Sequence, residues 1–168
     1  MSSGDLLISP GEIRILISYT ISVGMKFVLD TCVLVAAVRS RTGASFVLVD
    51  LATTGKIKTV LSTSLVSQYE DVLFRPEHRV ERWTDEDLFA LVDSLLVPAQ
   101  RVQTDFSYRP SLQDAGDELV LEAAIAGQAH IVTFDVRHFK PAARFGVRVF
   151  RPADVLGLYQ ESLCYGEE

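Results

Sequence analysis

After residue 24 the apolar positions follow two alternating rhythms. Short runs rich in Val, Ile and Leu, namely "KFVLD" (26–30), "IKTVLS" (57–62) and "HIVTFD" (130–135), predict buried strands. Longer stretches with helical period lie between them: "TCVLVAAVR" (31–39), "ASFVLVDLATT" (44–54), "STSLVSQYEDVLF" (62–74), "TDEDLFALVDSLL" (84–96), "DELVLEAAIAG" (117–127) and "PADVLGLYQESL" (152–163). Gly55, Pro76 and Gly127 read as helix stops, and Pro152 as a helix start. Thr84 with Asp87 three residues on has the spacing of a capping box, with Asp in place of the usual Glu or Gln. Two weaker strands complete the set, "VPAQRV" (97–102), which carries Pro98, and "VRVF" (147–150), expected at a sheet edge.

Strand and helix thus alternate along most of the chain. The predicted fold is α/β, a three-layer α/β/α sandwich with a mainly parallel central sheet. In such sheets ligands gather beyond the carboxyl ends of the strands, so the residues there decide the function.

Composition narrows the class. At 168 residues and 48% hydrophobic, the chain has enough apolar material for one core, assigned to residues 25–168. Residues 1–24 form an N-terminal extension in which Ile13, Ile15 and Ile17 alternate as in a strand, while Met25 offers an alternative start. Its apolar stretch is shorter than the roughly 20 residues that span a bilayer and lacks a basic leader, so no membrane association is expected. Cys32 and Cys164 are too few and too far apart for a disulfide framework and lack zinc-ligand spacing, which points to a reducing cytoplasm. The net charge of −6 argues against a protein that coats phosphates by bulk charge. It leaves room for a nuclease whose acids are masked by a metal ion.

The carboxylates sit where that idea needs them. Asp30 closes the first predicted strand and Asp135 the strand 130–135, so both point to one edge of the sheet. Asp117 opens the helix leading into that later strand, with Asp114 and Glu118 beside it. On the helix 64–74, Glu70 shares ridges with Val66, Leu73 and Phe74, whereas Asp71 shares its ridges with Ser67 and Gln68. Glu70 therefore borders the apolar stripe and Asp71 faces away. Asp30 taken alone reads as a helix cap as readily as a ligand, and for Asp114 or Asp117 taken alone a cap is the better reading. Taken together, converging acids without paired bases repel one another until a cation compensates. An all-oxygen donor set suits Mg²⁺ or Mn²⁺.

The segments "FVLDTCVLVAA", "STSLVSQYEDVL", "LQDAGDELVLEAAIAGQAHIVTFDVRHF" and "VRVFRPADVL" together resemble the PIN domain, in particular the bacterial toxins related to the virulence-associated protein C ribonucleases. The resemblance runs from residue 25 to about residue 158. It implies that Asp30, Glu70, Asp117 and Asp135 form an acidic quartet that binds metal and performs catalysis. It further implies supporting roles for Thr31, Asp114, Glu118 and Thr133. The expected activity is Mg²⁺- or Mn²⁺-dependent cleavage of RNA leaving 5′-phosphate and 3′-hydroxyl ends. The expected partners are a small antitoxin and a second copy of the chain. Cys32 departs from the pattern, which commonly has Asn there.

An acidic site that takes a polyanion needs cations nearby. Arg39, Arg41 and Arg137 are the RNA-binding candidates, with Arg75, Arg79, Arg82 and Lys140 in adjoining loops. His78, His130 and His138 show no ligand spacing and read as structural or surface residues. Rival enzymes fit less well. A haloacid-dehalogenase-type phosphatase wants a second Asp where Cys32 stands, and a phosphoacceptor receiver wants a Lys after a late strand. A non-catalytic RNA-binding module of the same fold is the remaining alternative.

Overall fold

The computed structural model describes residues 24–105 and 108–165. The suggested extra strand at 13–17 lies outside them. Along the chain run β1 (Lys26–Leu29), α1 (Thr31–Arg39), α2 (Ala44–Thr53), β2 (Lys58–Ser62), α3 (Thr63–Leu73), α4 (Asp85–Leu96), β3 (Gln100–Val102), α5 (Ala115–Gly127), β4 (His130–Val132), β5 (Val149–Phe150) and α6 (Pro152–Tyr165). The five strands form one sheet in the order β3-β2-β1-β4-β5, with helices around it. Every pairing is parallel, so the expected mainly parallel sheet is wholly parallel among the described residues.

The central strand explains its own sequence. Phe27 and Val28 of β1 are fully buried and Leu29 nearly so, as a strand covered on both faces requires. From β1 the order grows through β2 and β3 to one side, while β4 and β5 lie on the other. The direction of winding therefore reverses between β1 and β4, which opens a crevice at their carboxyl ends. Register makes this specific. Leu29 pairs with Val132, so Asp30 and Thr133 leave the sheet side by side.

Local signals behave as their chemistry dictates, with one correction. Thr84 and Asp87 exchange both bonds of the capping box at the start of α4. The helix ends at Gly127 as expected, but the residue that turns left-handed is Gln128, at φ 51°. The glycine answers a packing demand instead. A Cβ at Gly127 would lie 2.4 Å from Val60 Cγ1, so only a bare backbone lets α5 sit this close to β2.

The polar loop between α3 and α4 is tied to the end of α1. Arg82 Nη2 donates to Val38 O at 2.7 Å, capping a terminal helix carbonyl. Arg39 Nη2 reaches back to Glu77 O at 3.0 Å and to His78 Nδ1 at 2.9 Å. Two of the cations in this region thus have structural work.

Candidate active site at the β1–β4 crevice

Asp30 is the residue after β1 and the N-cap position of α1, yet its side chain makes no capping bond. The helix-cap reading is therefore wrong for this residue. Its carboxylate is 5% exposed and is held instead by hydroxyl and thiol donors. Thr133 Oγ1 donates to Oδ2 at 2.7 Å, Cys32 Sγ to the same oxygen at 3.2 Å, and Thr31 Oγ1 to Oδ1 at 3.2 Å. The Asp30 backbone N–H completes the clamp by donating to Val132 O at 2.9 Å. Beneath it, the buried Tyr69 hydroxyl of α3 bonds Leu29 O. A carboxylate oriented by such donors still has a free lone-pair direction.

Thr133 also fixes the opposite acid. It is fully buried, and its Oγ1 accepts from the Asp135 backbone N–H at 3.0 Å. This turn brings a carboxylate oxygen of Asp135 and the Cys32 sulfur together with Asp30, the three donor atoms lying within 4.8 Å of one another. Cys32 is thus part of the closest donor group, a position that the sequence marked only as a departure. Its thiol pKa is pushed up to about 12, by burial first and by the Asp30 charge second. It therefore stays a neutral hydrogen-bond donor to Asp30 at ordinary pH.

Asp117, in the first turn of α5, lies outside that trio but within its field. Its pKa is raised to about 6 by burial and by the charges of Asp30 and Asp114, against a smaller lowering by His138. His138 Nδ1 approaches Asp117 Oδ2 at 3.4 Å, so this histidine, read as structural or surface, belongs to the site's margin. The turn after β4 that places Asp135 also carries His138 back toward α5, which its spacing to other histidines does not encode.

The other expected acids divide by role. Glu70 is half-buried on α3, outside the trio, and its side chain makes no hydrogen bond or ion pair among the described residues, whereas Asp71 is exposed and pairs with Arg75 at 2.7 Å. The two faces of that helix are as expected. Asp114 caps α5, its Oδ1 accepting from Gly116 N at 2.7 Å and Asp117 N at 3.3 Å. A Cβ at Gly116 would lie 2.4 Å from Gln68 Nε2, so this glycine lets the Asp117 turn close on the helix that carries Glu70. Glu118 points away from ligand duty. It is 4% exposed, and its Oε1 accepts the backbone N–H groups of Ser111 at 2.5 Å and Leu112 at 2.8 Å. One helical turn on, the buried Glu122 holds Arg109 through both carboxylate oxygens, at 2.5 and 3.0 Å. Sequence reading did not single out that pair.

Beside Asp114 and Asp117 opens a cleft of about 630 Å³, lined also by Arg137, His138, Lys140 and Pro141. Arg137 is exposed there, as an RNA contact requires. Arg39 and Arg41 are not beside it. Nine residues of α1 at ~1.5 Å rise carry Arg39 about 13 Å back from the Asp30 end.

The residues present fit a hard divalent cation. Two carboxylates offer oxygens within 4.8 Å of each other, a third with a raised pKa stands nearby, and none is paired with Lys or Arg among the described residues. No curated protein matches the sequence. Comparison with protein families matches residues 26–137 to the family described as PIN domain, whose members are typically nucleases. That span runs from the strand bearing Asp30 through the turn bearing Asp135 and covers well over half of the sequence, and the chain belongs to the PIN domain family.

Proposed function

We propose that the chain is a metal-dependent endoribonuclease and the toxin of a toxin–antitoxin pair. The observation that carries the enzymatic reading is the approach of Asp30 and Asp135 at the β1–β4 crevice, with Asp117 nearby and none of the three paired with Lys or Arg among the described residues. Mg²⁺ or Mn²⁺ would be held by Asp30, Asp135 and Asp117, with Glu70 on the flanking helix. When bound, the ion supplies Lewis-acid stabilisation of the phosphate and an activated water at neutral pH.

The chain's own residues do the rest. Thr31, Cys32 and Thr133 lock the Asp30 carboxylate, so no reorganisation is needed as charge develops. The N-cap carboxylate of Asp114 and the His138 ring fix the Asp117 turn. Arg137 and Lys140 line the same cleft as Asp114 and Asp117 and offer positive charge to a phosphate seated in it. The toxin role rests on the sequence resemblance and the small single domain. It brings with it a small antitoxin, a homodimer and the cytoplasm.

The test is incubation with mixed single-stranded RNAs and Mg²⁺ or Mn²⁺. Internal cleavage leaving 5′-phosphates, abolished by EDTA, is the expected result. Intact RNA after incubation with the metal-supplemented wild type would overturn the nuclease and leave a binding module. Cleavage without growth arrest on expression, and without a small co-purifying protein, would leave a free-standing RNA-processing nuclease.

A further inference from the structure

The chain is acidic overall, yet no Asp or Glu occurs between Asp135 and Asp154. Five of its sixteen Lys and Arg residues fall in that interval: Arg137, Lys140, Arg144, Arg148 and Arg151. All are exposed, and none pairs with a carboxylate among the described residues. Several of the cations elsewhere are committed. Arg75, Arg79 and Arg109 hold Asp71, Asp85 and Glu122, while Arg39 and Arg82 latch the loop onto α1. Like charges left together without counter-charge raise the local potential and favour an anion.

Geometry makes the group a path. Lys140 lines the cleft that holds Asp117 and also lines a second hollow of about 390 Å³, so the two adjoin at this side chain. Arg148 lies at the far end of the second hollow, and Ala143 and Gly146 on either side of Arg144 line it too. The Arg148 backbone N–H donates to His130 Nδ1 at 3.2 Å, which places Arg148 at the start of β4, whereas Arg137 follows its end. At ~3.3 Å per strand residue, the two steps of β4 from His130 to Val132 alone put about 7 Å between the two ends of that strand. Arg148 lies over the Phe150 ring at 4.9 Å and Arg144 over Phe145 at 5.7 Å, contacts that steady both guanidinium groups. Phe134, 43% exposed between Thr133 and Asp135, adds an aromatic face at the cleft end, where an unpaired base can stack.

We propose that single-stranded RNA leaving the acid cleft lies along the β4–β5 edge, its phosphates on Lys140, Arg144 and Arg148. The inference rests on the RNA reading of the cleft but concerns a surface outside the acids. It also moves the binding surface away from Arg39 and Arg41.

The test is fluorescence anisotropy of a labelled, unstructured RNA in EDTA, so that no cleavage intervenes, over a salt series. The triple variant Lys140→Gln, Arg144→Gln, Arg148→Gln is expected to bind at least tenfold more weakly, its salt slope smaller by ~2, at about 0.7 per lost phosphate contact. The double variant Lys56→Gln, Lys58→Gln, outside this edge, is expected to bind like the wild type. Wild-type affinity and slope in the triple variant would overturn the path, as would an equal loss in the Lys56/Lys58 control. Lost retention of an acidic polypeptide with unchanged RNA binding would also overturn it, assigning the edge to a protein partner. Failure of the wild type to cleave RNA with metal refutes the nuclease reading by itself, because the anisotropy needs no cleavage.

Discussion

Asp30 shows at the scale of one side chain how the site is made. A buried anion is expensive unless hydrogen-bonded, and Thr31, Cys32 and Thr133 meet that need without neutralising it. Asp30→Asn should lower metal-dependent cleavage about 100-fold or more, because it removes an anchored anionic donor while keeping shape. Thr133→Val removes the hydroxyl that orients Asp30 and Asp135 together, and should weaken Mn²⁺ binding about 10–100-fold in a direct titration. The neighbours Glu70 and Asp71 give the contrast. Glu70→Gln should depress cleavage, whereas Asp71→Asn, which breaks only an exposed ion pair, should leave it within about twofold. Equal losses from the two would refute the assignment of faces on α3. That contrast was legible in the sequence because helical period alone sets it. The place of Cys32 was not. Its contact with Asp30 spans only two residues, but its approach to Thr133 depends on the β1–β4 register, which is not a local property.

Elements were the most legible level, since strand and helix periods differ and Gly, Pro and caps punctuate them. The strand 147–150 and the capping box at Thr84 are where their residues predict. What periodicity hides is how elements hold loops. Asp114, Glu118 and Glu122 fall on one ridge at steps of four, and the sequence pattern places the first two beside the site but does not single out the third. Only Asp114 borders the cleft. Glu118 and Glu122 instead strap the segment 109–112 to the helix, through backbone N–H groups and Arg109. That segment forms one wall of the cleft, so the strap sets its shape. Arg109→Ala would strand a buried carboxylate without its counter-charge and should lower unfolding free energy by about 2–4 kcal/mol in urea titration. A change below about 0.5 kcal/mol would show that the strap is ornamental.

For the whole molecule the acids set a pH dependence. In the metal-free protein Asp117 loses its proton near pH 6 when folded, but near its ordinary 3.8 when unfolded. The folded state binds more protons between those values. Its contribution to stability is full below pH ~4 and is lost as the pH rises through 6. Asp117→Asn should therefore raise the metal-free Tm at pH 7.5, where the wild type carries the unfavourable charge, and change it little at pH 4. Added Mg²⁺ should raise the wild-type Tm at pH 7.5 and do so progressively less below pH 6, as protons compete for the same carboxylate. A Mg²⁺ shift that grew on acidification would contradict this sign. The most direct test of the whole account is calorimetric titration of Mn²⁺ into the full chain at pH 7.5, beside Asp30→Asn. The account predicts saturable binding to the wild type that Asp30→Asn abolishes. No heat of binding in the wild type, or an undiminished isotherm in Asp30→Asn, would contradict it.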